Sequence, residues 1–326
     1  MLLFGGCSPR FPDEPEPVRS DDGYRVGVWN IEYLHDSHAR GFPEYFFGGP
    51  LYGPRTEADY LAIASVIAEE LDFAILVLNE VNAQSGATMA WGGTASVELD
   101  RLRDRLGGQY AYVLSQSGHP QHLAILWDQG RARADTVFEI RYPETLVEGQ
   151  DLFLRDPLVA KFTLLAEGNA YNDLVVVALH LASGQSNDRN HDSALALLVD
   201  TLTTLVSTSG GALSGEADIV LAGDLNFDFF DLDREEFVEQ MEQGDWDVLA
   251  DGLYPYTRLG GVPLGPDSRL DYLICTDAMR GSRALIAEPV AAVHGDLARG
   301  DFNSFRRVLS DHFPVSVLVR PSPDDD

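Results

Sequence analysis

Six times along this chain an apolar, strand-like run borders on a carboxylate, amide or imidazole, and never on a lysine. Val26-Gly27-Val28-Trp29 leads to Asn30-Ile31-Glu32, and Ile75-Leu76-Val77-Leu78 leads to Asn79-Glu80. Val175-Val176-Val177-Ala178-Leu179 leads to His180, and Ile219-Val220-Leu221-Ala222-Gly223 to Asp224-Leu225-Asn226. Arg269-Leu270 opens onto Asp271-Tyr272, and Ser310-Asp311-His312 precedes the last apolar run. Any one of these borders is ordinary, because strand ends meet solvent. If the strands share a sheet edge, all six converge on one acidic pocket. Carboxylates crowded there repel and take up protons, whereas a hard divalent cation relieves the repulsion and prefers oxygen ligands. The constellation therefore predicts Mg2+ or Mn2+.

Strand-like runs cover Arg25–Trp29, Phe73–Leu78, Leu123–Trp127, Val159–Leu164, Leu174–Leu179, Ile219–Ala222, Leu270–Cys275 and Phe313–Val319. Several are apolar at consecutive positions, as expected of strands covered on both faces. Between them, Glu57–Leu71, Ser96–Leu106 and Asn190–Val206 carry helical periodicity. The alternation is that of an α/β fold. Two facing sheets with helices outside accommodate this many strands in one domain over residues 23–320, since neither a repeat nor a linker divides it. Gly41–Arg55 is an aromatic loop after the first motif, expected either as a substrate rim or as a loop packed on the body.

Composition limits the partners. The 52 acidic residues against 23 Lys and Arg give a net charge of −29, spread along the chain. Tight non-specific binding to duplex nucleic acid needs a basic track, and a single lysine, Lys161, accompanies the arginines. Only Cys7 and Cys275 are present, which excludes a disulfide framework and a cysteine-rich zinc site. Met1-Leu2-Leu3-Phe4-Gly5-Gly6-Cys7-Ser8 looks like the end of a bacterial lipoprotein signal. Lipidation of Cys7 would attach the protein to a membrane outside the cytoplasm; if the likeness is accidental, the chain is cytoplasmic. Pro9 to Asp22 is rich in proline and acid and reads as a solvated tether, as does the acidic tail 321–326. A monomer is expected.

Taken together, the motifs Trp-Asn-Ile-Glu, Asn-Glu-Val, Leu-His-Leu, Gly-Asp-Leu-Asn, Arg-Leu-Asp-Tyr-Leu and Ser-Asp-His-Phe-Pro-Val resemble the DNase-I-like endonuclease/exonuclease/phosphatase superfamily from Val26 to about Val319. The resemblance implies a four-layer αββα sandwich, two facing mixed β-sheets covered by helices. It implies a metal-dependent phosphoester hydrolase with Glu80 as principal metal ligand and Asn30, Glu32 and Asp311 around the cation. Asp224 and Asn226 would bind the phosphate region, a second metal or the nucleophilic water. His312 would activate that water with Asp271 fixing its tautomer, and His180 would bond a non-bridging oxygen or the leaving group.

One position departs from the pattern: Asn79 stands where the family commonly has Gln, one methylene shorter, so its contact is expected to shift. Glu32 likewise stands where Asp or another residue is common. Arg189 and Arg269 are candidates for phosphate contact, although Asp188-Arg189-Asn190 also reads as a helix start. His119 and His122 read as surface loop. The substrate is a nucleic acid, a nucleotide, or a lipid or inositol phosphate, and the motifs handle only the phosphoryl centre. A silent binding module on the same fold would have lost a ligand or the His/Asp pair, and neither is missing.

Overall fold

A computed structural model describes residues 23–34, 55–82, 96–118, 121–142, 146–147, 150–166, 169–183, 188–227, 239, 241–249, 256–260, 265–280, 285–286 and 291–322. Cys7 and the segment after it, residues 41–54 of the aromatic loop, His119 and the side chain of Arg189 lie outside them. In chain order the strands are β1 (Tyr24–Leu34), β2 (Phe73–Val81), β3 (Tyr110–Leu114), β4 (His122–Asp128), β5 (Ala132–Glu139), β6 (Leu146–Val147), β7 (Gln150–Asp151) and β8 (Leu158–Ala166). They continue as β9 (Asn169–His180), β10 (Ile219–Asp224), β11 (Trp246–Val248), β12 (Arg258–Gly260), β13 (Gly265–Ser268), β14 (Asp271–Thr276), β15 (Ala292–Val293) and β16 (Val315–Val319).

Two mixed six-stranded sheets form the body, in the orders β15-β16-β1-β2-β4-β3 and β11-β14-β10-β9-β8-β5. Each is built around one parallel pair, β1 with β2 and β9 with β10, flanked by antiparallel neighbours. A parallel pair needs a crossover. Helix α1 (Glu57–Ser65), prolonged by a π turn over Val66–Glu70, lies in the first, and α3 (Asp188–Ser207) in the second. The π turn sits inside the single helix expected over Glu57–Leu71. Thr56 and Asp59 form a reciprocal capping box at the start of α1, and Ser96 caps α2 (Val97–Leu106) by accepting from Leu99 N–H at 3.1 Å.

Strand alternation divides the core. In β10, Val220 and Ala222 face the first sheet, while Ile219 and Leu221 pack beneath Leu195, Leu198 and Leu202 of α3. In β14, Leu273 and Cys275 face inward, and Tyr272 and Ile274 face outward. The same parity carries Asp224 and Asp271 to the inter-sheet side. The first sheet is covered by α1 and α2, whose Tyr60, Ile63, Leu99 and Leu102 join its core. Helix, sheet, sheet and helix make the expected layers. The sequence reading stopped short at most strand ends: β1 runs on to Leu34 and β2 to Val81, because both contain irregularities that the apolar pattern does not mark. His122 is not surface loop; it is buried at the start of β4, next to Ser115. No helix among the described residues is long and apolar enough to cross a membrane.

Candidate active site

The two parallel pairs end at the same place. In the first sheet Asn30 pairs with Asn79, and in the second Asp224 pairs with His180. The antiparallel neighbours bring their starts to these ends: Asp271 of β14 lies opposite Asp224, Val315 of β16 opposite Val28, and Leu158 of β8 opposite Ala178. Residues just before those strands, Asp311-His312 and Arg155, are thereby delivered to the same pocket. Backbone irregularity then aims the side chains. Glu32, Tyr33, Glu80 and Asn226 all have left-handed backbones, with φ of 43°, 56°, 61° and 54°, and register shifts fall between Asn30 and Leu34 and between Leu78 and Val81. Such conformations are costly for residues with a Cβ and gather at functional sites.

His312 is fixed from every side. Its Nδ1 donates to Asp271 Oδ2 at 2.7 Å, leaving Nε2 3.8 Å from Asp311 and 3.9 Å from Asp224. Its carbonyl accepts from Trp29 Nε1 at 2.9 Å, and its N–H donates to Ser310 Oγ at 3.0 Å, whose own hydroxyl donates to Asn30 O at 2.6 Å. Thr257 Oγ1 accepts the N–H groups of Leu270 and Asp271 at 2.9 and 3.0 Å, which holds the aspartate end of the pair. Asp224 accepts from Asn30 Nδ2 across the sheets and from Asn226 N–H, both at 2.9 Å. Gly223 precedes it of necessity: a Cβ there would stand 2.2 Å from Leu179 O. Asn226 turns its own carboxamide onto Leu181 O at 2.9 Å.

Burial sets the protonation pattern. Desolvation, with Asp311 and Asp224 adding repulsion, pushes the partly open Glu80 up to about 7. Desolvation and Asp271 raise Asp224 to about 6, and desolvation and Asp311 raise Glu32 to about 7. For His312, burial opposes the charge, yet Asp271, Asp311 and Asp224 outweigh it and carry the imidazole up to about 10. Burial, Arg155 and His312 hold His180 well below its usual value, so it stays neutral at neutral pH.

A family model described as the endonuclease/exonuclease/phosphatase family matches residues 27–312, which span all of these groups. The chain belongs to the endonuclease/exonuclease/phosphatase family. Solved structures with the same fold include the family protein from Bacteroides vulgatus (14% identity, 92% of this chain and 99% of that one, TM-score 0.58). Others are the mannosyl-6-phosphatase Bt3783 of Bacteroides thetaiotaomicron (14%, 90% and 98%, 0.53) and the human nocturnin catalytic domain with bound sulfate (16%, 91% and 93%, 0.54). No curated protein matches the chain by sequence.

Members of this family are phosphoesterases that commonly use divalent metals, and the pocket fits one. Its donors are oxygen and imidazole, Cys275 being buried in the core of β14, and Glu80, Asp224 and Glu32 are raised first by burial and then by neighbouring carboxylates, a repulsion that a bound cation would relieve. Among the described residues, Asp224, Asp271 and His312 are the group of three whose ligand atoms all lie within 4.8 Å of one another. Because Asp271 Oδ2 and His312 Nδ1 are already bonded to each other, that trio has the form of an oriented base beside a carboxylate. Glu80, partly open and joined to Asn30 at 3.3 Å, offers the freer oxygens.

Two arginines differ from the sequence reading. Arg269 is 1% exposed, stacks 5.0 Å over the Tyr272 ring and donates to Leu249 O at 3.4 Å, so packing rather than an open pocket surrounds it. Arg155, which the motifs did not mark, carries its charge to Glu80, Asp224 and His180 and donates to Gln121 O at 2.9 Å. It precedes an apolar strand instead of following one, and only the antiparallel pairing of β8 with β9 makes that start equivalent to an end.

Proposed function

We propose that the protein is a divalent-metal-dependent phosphoester hydrolase in which His312, paired with Asp271, activates the attacking water. The observation that carries this is the 2.7 Å bond from His312 Nδ1 to Asp271, with Nε2 turned toward Asp224 and Asp311. The imidazole thereby has one nitrogen committed to orientation and one free to receive a proton. A divalent cation would be held by Glu80 and Asn30 with Asp311 and Glu32 beside them, and it supplies charge stabilisation at the phosphoryl and leaving oxygens. Of these carboxylates Asp311 is the one that also raises His312, after Asp271, so a cation held there would weaken part of the field that favours the imidazolium.

In this reading His312 Nε2 takes the proton of water as the phosphorus–oxygen bond to the leaving group breaks, and Asp271 stabilises the imidazolium. Asp224 orients the water. Neutral His180 bonds a non-bridging or leaving oxygen, and Arg155 pairs with a phosphate oxygen. Asn226 serves by fixing the Asp224 loop. The strong negative charge of the chain favours a small or lipid phosphoester over avid duplex binding. The test is a hydrolysis panel with Mg2+ or Mn2+ over plasmid DNA, RNA, sphingomyelin, inositol phosphates, sugar phosphates and a chromogenic diester, with His312→Ala and EDTA as controls. Turnover abolished by both controls is expected. Turnover that survives both rejects the mechanism, and silence across the panel favours a binding module.

A further inference from the structure

Three arginines gather around Glu32 and Asp311, and two of them are committed. Arg306, from the helix Phe302–Val308, forks onto Glu32 Oε1 through Nε at 3.2 Å and Nη2 at 2.8 Å and donates to Asp311 Oδ2 at 3.5 Å. Arg55 donates to the carbonyls of Val308, Ile31 and Glu32 at 2.8, 2.8 and 3.3 Å. Arg258, on β12, is different. Its side chain is 40% exposed, and it meets the same Asp311 oxygen through Nε alone, at 3.5 Å. Among the described residues, its two terminal amino groups meet no acceptor. Its backbone, by contrast, is held on both sides. Thr257 Oγ1 accepts from Leu270 and Asp271, Thr257 O accepts from Phe313 N–H, and Leu259 N–H donates to Asp311 O, the last two at 2.7 Å. Thr257 and Leu259 are fully buried, so strand alternation turns Arg258 the other way, opposite His312 in a β-bridge.

We propose that Arg258 is a specificity-determining residue that receives a second anionic group of the substrate, a phosphate or a carboxylate, while the scissile phosphoryl group sits at His312. This rests on the phosphoester-hydrolase reading given above. Asp311 has no need of Arg258, because Arg306 already donates to the same oxygen. A partly exposed ion pair at 3.5 Å also adds little stability. A guanidinium with open terminal N–H groups instead matches an arriving phosphate or carboxylate through two parallel bonds. The place suits the remainder of a bound phosphoester. Asp311 Oδ1 lies 3.8 Å from His312 Nε2, so Arg258 stands one carboxylate away from the base. The protein as a whole, at a net charge of −29, repels anions, and a small molecule with two anionic groups needs a local cation for the second. Arg258 supplies it on a strand clamped to both Asp271 and Asp311.

The test is calorimetric binding of glucose 6-phosphate, 6-phosphogluconate and glucose 1,6-bisphosphate in Mg2+ to the full chain carrying His312→Ala, which removes turnover. Asp271→Asn takes its place if circular dichroism shows that chain to be unfolded. Glucose 6-phosphate offers one anionic group; the other two add a carboxylate or a second phosphate. At least one of these two is expected to bind about tenfold or more tightly than glucose 6-phosphate, as a charge-assisted pair provides. Adding Arg258→Gln should bring that ratio to about one, and Arg258→Lys should keep part of it. A ratio near one with Arg258 intact, a ratio that survives Arg258→Gln in a folded chain, or no binding by any of the three overturns the inference. The binding ratio needs no turnover, so a wild type that hydrolyses nothing in the phosphoester panel removes the hydrolase reading and is told apart from a failure of Arg258.

Discussion

Asn79 accepts the backbone N–H of Asp224 at 3.2 Å across the gap between the sheets, while its own Nδ2 donates to Leu179 O at 2.7 Å. With Asp224 in register with His180, these two groups lie where the parallel ladder joins β10 to β9. Asn79, fully buried, adds a carboxamide bond to each of them and so ties the end of β2 to the ends of β9 and β10.

Asn79→Ala removes both buried bonds and is expected to cost on the order of 1–3 kcal/mol in urea unfolding. It is also expected to lower kcat more than it raises KM, since His180 and Asp224 shift together. Asn79→Gln carries one methylene more and is expected to lie between the two. A loss in Asn79→Ala below about 0.5 kcal/mol, the size of an ordinary surface change, contradicts the bridging role.

Stability should depend on metal in a pH-dependent way. Glu80 rises from 4.5 to about 7 and Asp224 from 3.8 to about 6 on folding. A raised carboxylate favours the fold below its unfolded pKa, and that contribution is lost as pH rises through the folded value, at up to about 1.4 kcal/mol per pH unit for each group. The metal-free protein therefore loses stability between about pH 4 and 7. Mg2+ or Mn2+ should raise Tm more at pH 8 than at pH 5. Glu80→Gln should raise the metal-free Tm at pH 8 and abolish most of the metal-induced rise. An equal rise at both pH values argues against these carboxylates as the ligands.

His294 gives an independent acid limb. Burial, with Arg25 beside it, lowers its pKa to about 3, and its Nε2 meets Ser316 Oγ at 2.8 Å. A histidine neutral in the fold and protonated in the unfolded chain supports the fold above its unfolded pKa, and the support falls away from about pH 6.5 down to 3. His294→Gln should be less stable at pH 8 and should flatten the decline of Tm between pH 6.5 and 4. An unchanged slope contradicts the assignment.

What the sequence made legible was the set of groups that border strands in its own order. Asn30, Glu80, His180 and Asp224 could be read as strand ends, and Asp271 and His312 were carried by their motifs. Their convergence could be inferred only on the condition of a shared edge, which the paired parallel strands supply. Arg155 was invisible because its relevance depends on the antiparallel neighbour of β8, a long-range pairing with no local signal. The engagement of Glu32 by Arg306 was equally hidden, since 274 positions separate the two residues. Trp29 and Ser310 stand inside the quoted motifs without a role of their own there, and their work, like that of Thr257, is done through backbone contacts that no residue type announces. Short elements such as β15 and β11 lack enough length for a period to show.

The central claim, that His312 oriented by Asp271 activates water in a metal-dependent phosphoester hydrolysis, is tested most directly by kcat/KM for a chromogenic phosphodiester in Mg2+. Wild type, Asp271→Asn and His312→Ala are compared, with folding verified for each. Losses of about 10²–10⁴-fold in both variants, all activity being removed by EDTA, are the predicted result. An Asp271→Asn or His312→Ala enzyme that folds and keeps wild-type turnover contradicts it.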